Sequence, residues 1–242
     1  MLEERDGEAL KSLRSGLYLV GTPLGNKEDL SRRAVQTLKT VDLVACEDTR
    51  HAQKLLEAYD IKAKLTVYND HSHEGTRRRL LARMQEGAAM ALISDAGMPL
   101  VSDPGYRLVR ACWESFLYVT VIPGPSAVTA ALALSGLPTD RFFFQGFLPR
   151  KGWQTCLKEL VPLKATLVFF ESSQRLNKTL AHCHQILGDR PLVIVREMTK
   201  LFEERLETSL EAFLAQSEPP VLKGEITFLL GRAVTQKELL KN

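Results

Sequence analysis

Two α/β domains are the fold this chain of 242 residues predicts, on three observations. Short apolar runs alternate with helix-length amphipathic stretches from Leu17 onward, the rhythm of βαβ units in a parallel or mixed sheet. The rhythm is interrupted once, near the middle, by an Ala-rich helix that ends at Gly136 and Pro138, a junction between two units. Apolar residues make up 45% and charged residues 25%, ordinary values for a chain that buries a large core.

In order, LYLVG (17–21) reads as a strand, followed by a loop with Pro23, Gly25 and Asn26. A helix begins near Asp29, since Leu30, Ala34, Val35 and Leu38 share one face. VDLVAC (41–46) is the second strand and 49–59 a helix. LTVY (65–68), a helix over 77–86 and AAMALI (88–93) continue the alternation. After SDAGMPLVSDPG come a helix over 106–114 and the strand FLYVTVI (116–122). PGPSAVTAALALSGLP (123–138) is a turn feeding a helix. RFFFQGF, TLVFF (166–170), a helix over 174–187, PLVIV (191–195), a helix near 210–216 and ITFLL (226–230) form the second half. The domain plan is a tail (1–16), an α/β domain (17–122), a linker helix (123–140), a second α/β domain (141–232) and a tail (233–242).

The net charge of +3 is too small for a polybasic tail, so any nucleic-acid surface must be a local patch. The four cysteines are far apart and form no CxxC pair, which points to free thiols in a reducing compartment. The opening MLEERDGEALKSLRSG is charged and lacks an apolar core, unlike a signal peptide or anchor. No apolar run approaches the roughly 18 residues of a membrane span, and a cytoplasmic location is expected.

Every glycine-rich loop follows a strand, where an open α/β sheet presents backbone amides to ligands. None is a phosphate motif: Gly21 and Gly25 miss the GxGxxG spacing, which also weakens a nicotinamide reading built on Gly25 and Glu47. ISDAGMPLVSDPG is the most heavily punctuated segment, with two Asp-containing turns and two prolines that stiffen the backbone. PGPSAV has the same character, and Ser126 is either a helix cap or a ligand contact. No metal is expected. His182 and His184 are two apart on a helix and diverge, and His71 and His73 in NDHSHE lack a cysteine partner. Arg77, Arg78 and Arg79 are the strongest basic run, with RNA contact and a solvated helix face both open. Arg150 and Lys151, after a Phe-rich strand, are a second basic candidate for RNA.

Seven blocks in order, LYLVGTPLGNKEDLSRRA, DLVACEDTRH, ISDAGMPLVSDPG, IPGPSAV, RFFFQGFLPRKG, VREMTKLFEE and KGEITFLL, resemble the ribosomal RNA small-subunit methyltransferase I family of the tetrapyrrole methylase superfamily. The resemblance runs from about Leu17 to Gly231. It implies two α/β domains of the tetrapyrrole methylase type with S-adenosylmethionine in a cleft between them, in a homodimer. The implied reaction is methyl transfer to the ribose 2′-hydroxyl of a cytidine in the decoding centre of 16S rRNA, within the 30S subunit. Cofactor contacts are implied at Leu24, Asp95, Ala96, Met98, Ser126, Ala127, Phe170 and Ile226. Glu47, Asp48 and Glu203 become candidates for proton handling, with Arg50 and Lys200 on the flanking phosphates; each could equally be half of a structural ion pair. The chain departs from the family pattern at Met98, where Thr is usual, at His71–His73 in place of HNE, and at Ser173 and Gln174 in place of Pro-His. The family commonly continues past the last strand into a helical segment, whereas this chain ends at Asn242. Two other readings stay open: a superfamily relative acting on another nucleophile, and a catalytically silent S-adenosylmethionine-binding assembly factor.

Overall fold

The structure, a computed structural model, describes residues 13–69, 74–216 and 222–232. The chain divides between Ser126 and Ala127 into two compact units.

The first unit is a five-stranded parallel sheet of order β3-β2-β4-β1-β5. Its strands are β1 (Gly16–Val20), β2 (Leu43–Cys46), β3 (Leu65–Val67), β4 (Ala89–Leu92) and β5 (Val119–Ile122). The helices are α1 (Arg32–Thr40), α2 (Thr49–Ala58), α3 (Glu74–Gln85) and α4 (Tyr106–Glu114). Every residue of β2 and β4 is buried, as expected of parallel strands covered on both faces. On one side Val20, Val44, Ala91 and Ile93 pack with Ala34, Leu38, Ala52 and Leu56; on the other Leu17, Leu43, Met90 and Leu92 pack with Leu80, Met84, Leu108 and Cys112.

Local chemistry moves three boundaries. The helix expected near Asp29 starts at Arg32, because Ser31 caps it by accepting the Ala34 amide at 3.1 Å, while Lys27–Asp29 form a separate 3₁₀ turn capped by Asn26. The second strand begins at Leu43: Val41 closes α1, and the Asp42 carboxylate accepts the Ala89 amide. The fifth begins at Val119, because Phe116, with φ of 54°, finishes the turn after α4 by donating its amide to the Trp113 carbonyl.

The second unit is a mixed sheet of order β6-β7-β10-β8-β9, with β6 parallel to β7 and the remaining pairs antiparallel. Its strands are β6 (Phe142–Phe147), β7 (Thr166–Ser172), β8 (Pro191–Arg196), β9 (Glu204–Ser209) and β10 (Glu225–Leu230). Its helices are α5 (Ala127–Ser135), α6 (Trp153–Leu160), α7 (Leu176–Leu187) and α8 (Leu210–Leu214). One face is covered by α6, α7 and α8 around Phe169 and Phe228, whose rings stack at 4.7 Å. The other is covered by α5, whose Val128, Ala131 and Leu132 pack on Val168, Val193, Val195 and Leu229. This is the segment read from sequence as a linker helix over 123–140; here it is a layer of the second unit. Two elements, α6 and β9, were absent from the sequence reading.

Candidate functional site

Because all five strands of the first sheet are parallel, their carboxyl ends share one edge, and the loops after β1, β2, β4 and β5 are among those that open there. Three of them are joined. Thr22, after β1, exchanges backbone hydrogen bonds with Gly97, after β4, at 2.9 and 3.1 Å. Buried Thr22 also donates its hydroxyl toward the Ser94 and Gly97 carbonyls. Gly21 lies against Gly124, after β5: a Cβ on Gly21 would stand 2.7 Å from the Gly124 Cα and 2.7 Å from Met98 Sδ. A Cβ on Gly97, where φ is 83°, would lie 3.2 Å from Leu24. Leu24, Met98 and the Gly124–Pro125 turn, singled out separately in sequence, thus converge on one spot.

The loop after β4 is also held in an uncommon backbone state. Leu100 and Ser102 have φ of 73° and 65°, a region L residues occupy only when their surroundings impose it. Asp95 is exposed at the start of this loop, with Ala96 and Met98 half-buried. Asp103 is half-buried, and its carboxyl is pushed up to about 6, first by burial and then by the Asp95 charge, with a hydrogen bond from Ser94 opposing. Ser126 and Ala127 are half-buried where α5 begins.

Glu47 and Asp48 follow β2 on the same edge. Asp48 caps α2 by accepting the Arg50 amide at 2.8 Å and holds the Arg50 guanidinium through both carboxylate oxygens. These bonds, led by the Arg50 side chain, hold the Asp48 carboxyl well below its ordinary range. Arg50 is otherwise exposed.

In the second unit Lys200 bridges Glu197 and Glu225 at 3.0 Å each. Burial works against its charge, but the two carboxylates outweigh that and raise the ammonium. Glu203 accepts the Thr199 amide at 2.6 Å and so closes the loop after β8, in which Glu197 and Thr199 have positive φ. Phe170 and Ile226, expected in one pocket, face opposite ways. Thr227 pairs with Phe170 and Ile226 with Glu171, so Phe170 lies on the α5 face against Phe144 and Phe147, while Ile226 is buried under α6–α8. A side-chain pocket containing both is therefore not formed; Ile226 belongs to the core.

Of the basic candidates, Arg78 pairs with Glu74 along α3, Arg79 is exposed and Arg77 half-buried. Arg150 and Lys151 are exposed in the turn after β6. His182 stacks on Trp153 at 3.6 Å, whereas His71 and His73 lie outside the described residues. Among the described residues no group of three or more His, Cys, Asp or Glu could hold a metal ion. Among them, too, no helix is long and apolar enough to cross a membrane.

A family model described as Tetrapyrrole (Corrin/Porphyrin) Methylases matches residues 16–214. The ribosomal RNA small subunit methyltransferase I of Rickettsia prowazekii (strain Madrid E) is 46% identical over 220 residues, 90% of this chain and 79% of its own. The chain belongs to that family of tetrapyrrole methylases. A second family member, from Thermotoga maritima, is 45% identical over 215 residues, 88% of this chain and 97% of its own. Among solved structures, diphthine synthase superposes with a TM-score of 0.70 at 17% identity, covering 93% of each chain. Uroporphyrin-III-C-methyltransferase from Thermus thermophilus gives 0.62 at 22%, covering 90% of this chain and 94% of its own. These two show the fold alone. The sequence singles out the segments that form the loops after β1, β4 and β5 but gives no separate reason to choose Thr22, Gly124 or Asp103 within them. Their signals, a Thr after a strand, a Gly between two prolines and a second Asp in SDPG, are too common to stand out singly.

Proposed function

We propose that this protein is an S-adenosylmethionine-dependent methyltransferase acting on the ribose 2′-hydroxyl of a cytidine in the decoding centre of 16S rRNA, presented in the 30S subunit. A cytoplasmic homodimer goes with this reading. The observation that carries it is the near-half identity to proteins named ribosomal RNA small subunit methyltransferase I over about 90% of the chain.

The residues at the sheet edge fit the cofactor. S-adenosylmethionine has no phosphates, so it calls for close backbone approach and shape in place of a phosphate loop; the Gly21–Gly124 contact and the Thr22–Gly97 bridge leave just such side-chain-free turns. Leu24, Ala96 and Met98 offer apolar contact, Asp95 an exposed carboxylate for hydroxyls or an ammonium, and Ser126 and Ala127 backbone groups.

When bound, the cofactor supplies an electrophilic methyl on a sulfonium that departs as a neutral thioether. The protein's part is to align the attacking oxygen, worth most of the acceleration, and to accept its proton. Asp48, locked on Arg50 and strongly acidic, is a poor proton acceptor; it instead aims Arg50, whose guanidinium suits a phosphate beside the target. Glu47 on the same edge is the proton acceptor. Lys200 and Glu203, tied to Glu197, Glu225 and the Thr199 amide, shape the loop after β8.

The test combines calorimetric titration with S-adenosylmethionine and methyl transfer to 30S subunits lacking the modification. Glu47→Gln is expected to lower turnover by about 100-fold or more with cofactor affinity nearly unchanged. Unchanged turnover removes Glu47 from the reaction. Binding without transfer to any 30S preparation favours the silent assembly factor.

A further inference from the structure

The second unit carries a cavity of about 320 Å³ that the proposed methyl transfer does not use. It is lined by Arg150 in the turn after β6, Trp153 at the start of α6, Arg175 just before α7, and Lys178, Thr179 and His182 along α7. The last four recur at three- and four-residue steps, so α7 and its N-cap present them on one face. Trp153 and His182 lie flat on each other, 3.6 Å between centroids and 4° from parallel.

Three cations thus meet an aromatic pair. The opposing carboxylate is Glu171, fully buried behind Thr179 and Arg175: it accepts the Thr179 hydroxyl at 2.6 Å and the Ser172 amide at 2.8 Å, and lies 3.4 Å from Arg175. Arg175 also donates to the Leu148 carbonyl at 2.6 Å and is thereby fixed in place. One carboxylate against three cations leaves Arg150 and Lys178 uncompensated, and neither forms an ion pair with another described residue. Burial and the Lys178 and Arg175 charges push His182 below its ordinary value, so near neutral pH the pair is an uncharged flat surface. Positive groups beside a stacking surface are what an unpaired nucleotide needs. A free phosphate would use the cations alone and leave most of the volume empty.

We propose that this cavity seats a phosphate and the adjoining base of a single-stranded segment of the RNA substrate, with Arg150 and Lys178 on the phosphate and Trp153 and His182 as the stacking wall. The proposal rests on the rRNA methyltransferase reading and deepens it by giving the second unit an RNA contact of its own.

Fluorescence anisotropy with a short fluorescein-labelled single-stranded RNA tests it. In the double variant Arg150→Ala, Lys178→Ala, both exposed positions, affinity is expected to fall about tenfold or more, and the log–log salt slope to become shallower by about 0.7 for the one phosphate no longer neutralised. The chain has two tryptophans, Trp113 and Trp153, so Trp113→Phe leaves Trp153 as sole reporter; its emission should change saturably with RNA. Unchanged affinity and slope in the double variant overturn the proposal, as does RNA binding that leaves Trp153 emission untouched. Displacement of the RNA by inorganic phosphate as readily as by unlabelled RNA reassigns the cavity to free phosphate and overturns it too. The two readings separate cleanly. If the methyltransferase reading fails, RNA still binds through the cavity but no methyl is transferred; if the cavity fails, transfer to 30S subunits proceeds with unchanged KM in the double variant.

Discussion

Asp103 concentrates the electrostatic strain of the loop after β4. Its carboxyl ionises near 3.8 when the chain is unfolded and at about 6 when folded, burial being the main cause. Between those values the folded state holds a proton the unfolded state has lost, so this residue's contribution to stability is fully present below about 4 and is lost as pH rises through about 6. Asp103→Asn should abolish that dependence and, allowing for the side chain's partial exposure, stabilise the protein by about 1 kcal/mol at pH 7. Urea denaturation at pH 4.5 and 7 measures it; a variant that tracks the wild type at both values contradicts it. The thiols give a second residue-scale test. Burial pushes Cys46 up to about 11 and Cys112 and Cys183 up to about 12, while Cys156 is only half-buried. A thiol reagent at pH 8 should therefore modify Cys156 first and reach the other three only on unfolding. At this scale sequence is least legible. Glu47 and Asp48 look alike as neighbours, and only the Arg50 contacts mark Asp48 as the helix cap. Phe170 and Ile226 look like partners until the antiparallel register turns them to opposite faces.

Among elements, the turns after β1 and β5 meet backbone against backbone at Gly21 and Gly124. Gly124→Ala would place a methyl 2.9 Å from the Gly21 backbone, which cannot yield without moving β1 or β5. A loss of about 1–3 kcal/mol is expected, as for overpacked sites, together with weakened cofactor binding; thermal melts and calorimetry read the two effects. Ser31→Ala should cost about 1 kcal/mol through the lost cap of α1 and leave cofactor affinity alone. The parallel strands were legible because a strand covered on both faces reads as an unbroken apolar run, as LVAC and AMAL do. The strand β9 was not, because ERLETS lies at the sheet edge with Arg205 and Glu207 paired along it, and charge there reads as loop. Likewise WQTCLKEL is a single short helix that borrows its stability from the α7 contacts.

For the molecule as a whole, each unit has its own sheet and core, and each contributes a different kind of chemistry. The first supplies side-chain-free turns along one parallel edge; the second supplies a cationic cavity walled by two stacked rings. The ISDAGMPLVSDPG loop was legible because its prolines and glycines are adjacent in the chain. The cavity was not, because Arg150, Trp153 and Lys178 meet only after α6 and α7 fold over the sheet. The measurement that tests the central claim most directly is transfer of a labelled methyl from S-adenosylmethionine to 30S subunits lacking the modification, followed by digestion of the 16S rRNA to nucleosides. The account expects the label in 2′-O-methylcytidine from a single position. Label on a nucleobase, or no label from protein that binds the cofactor, would contradict it.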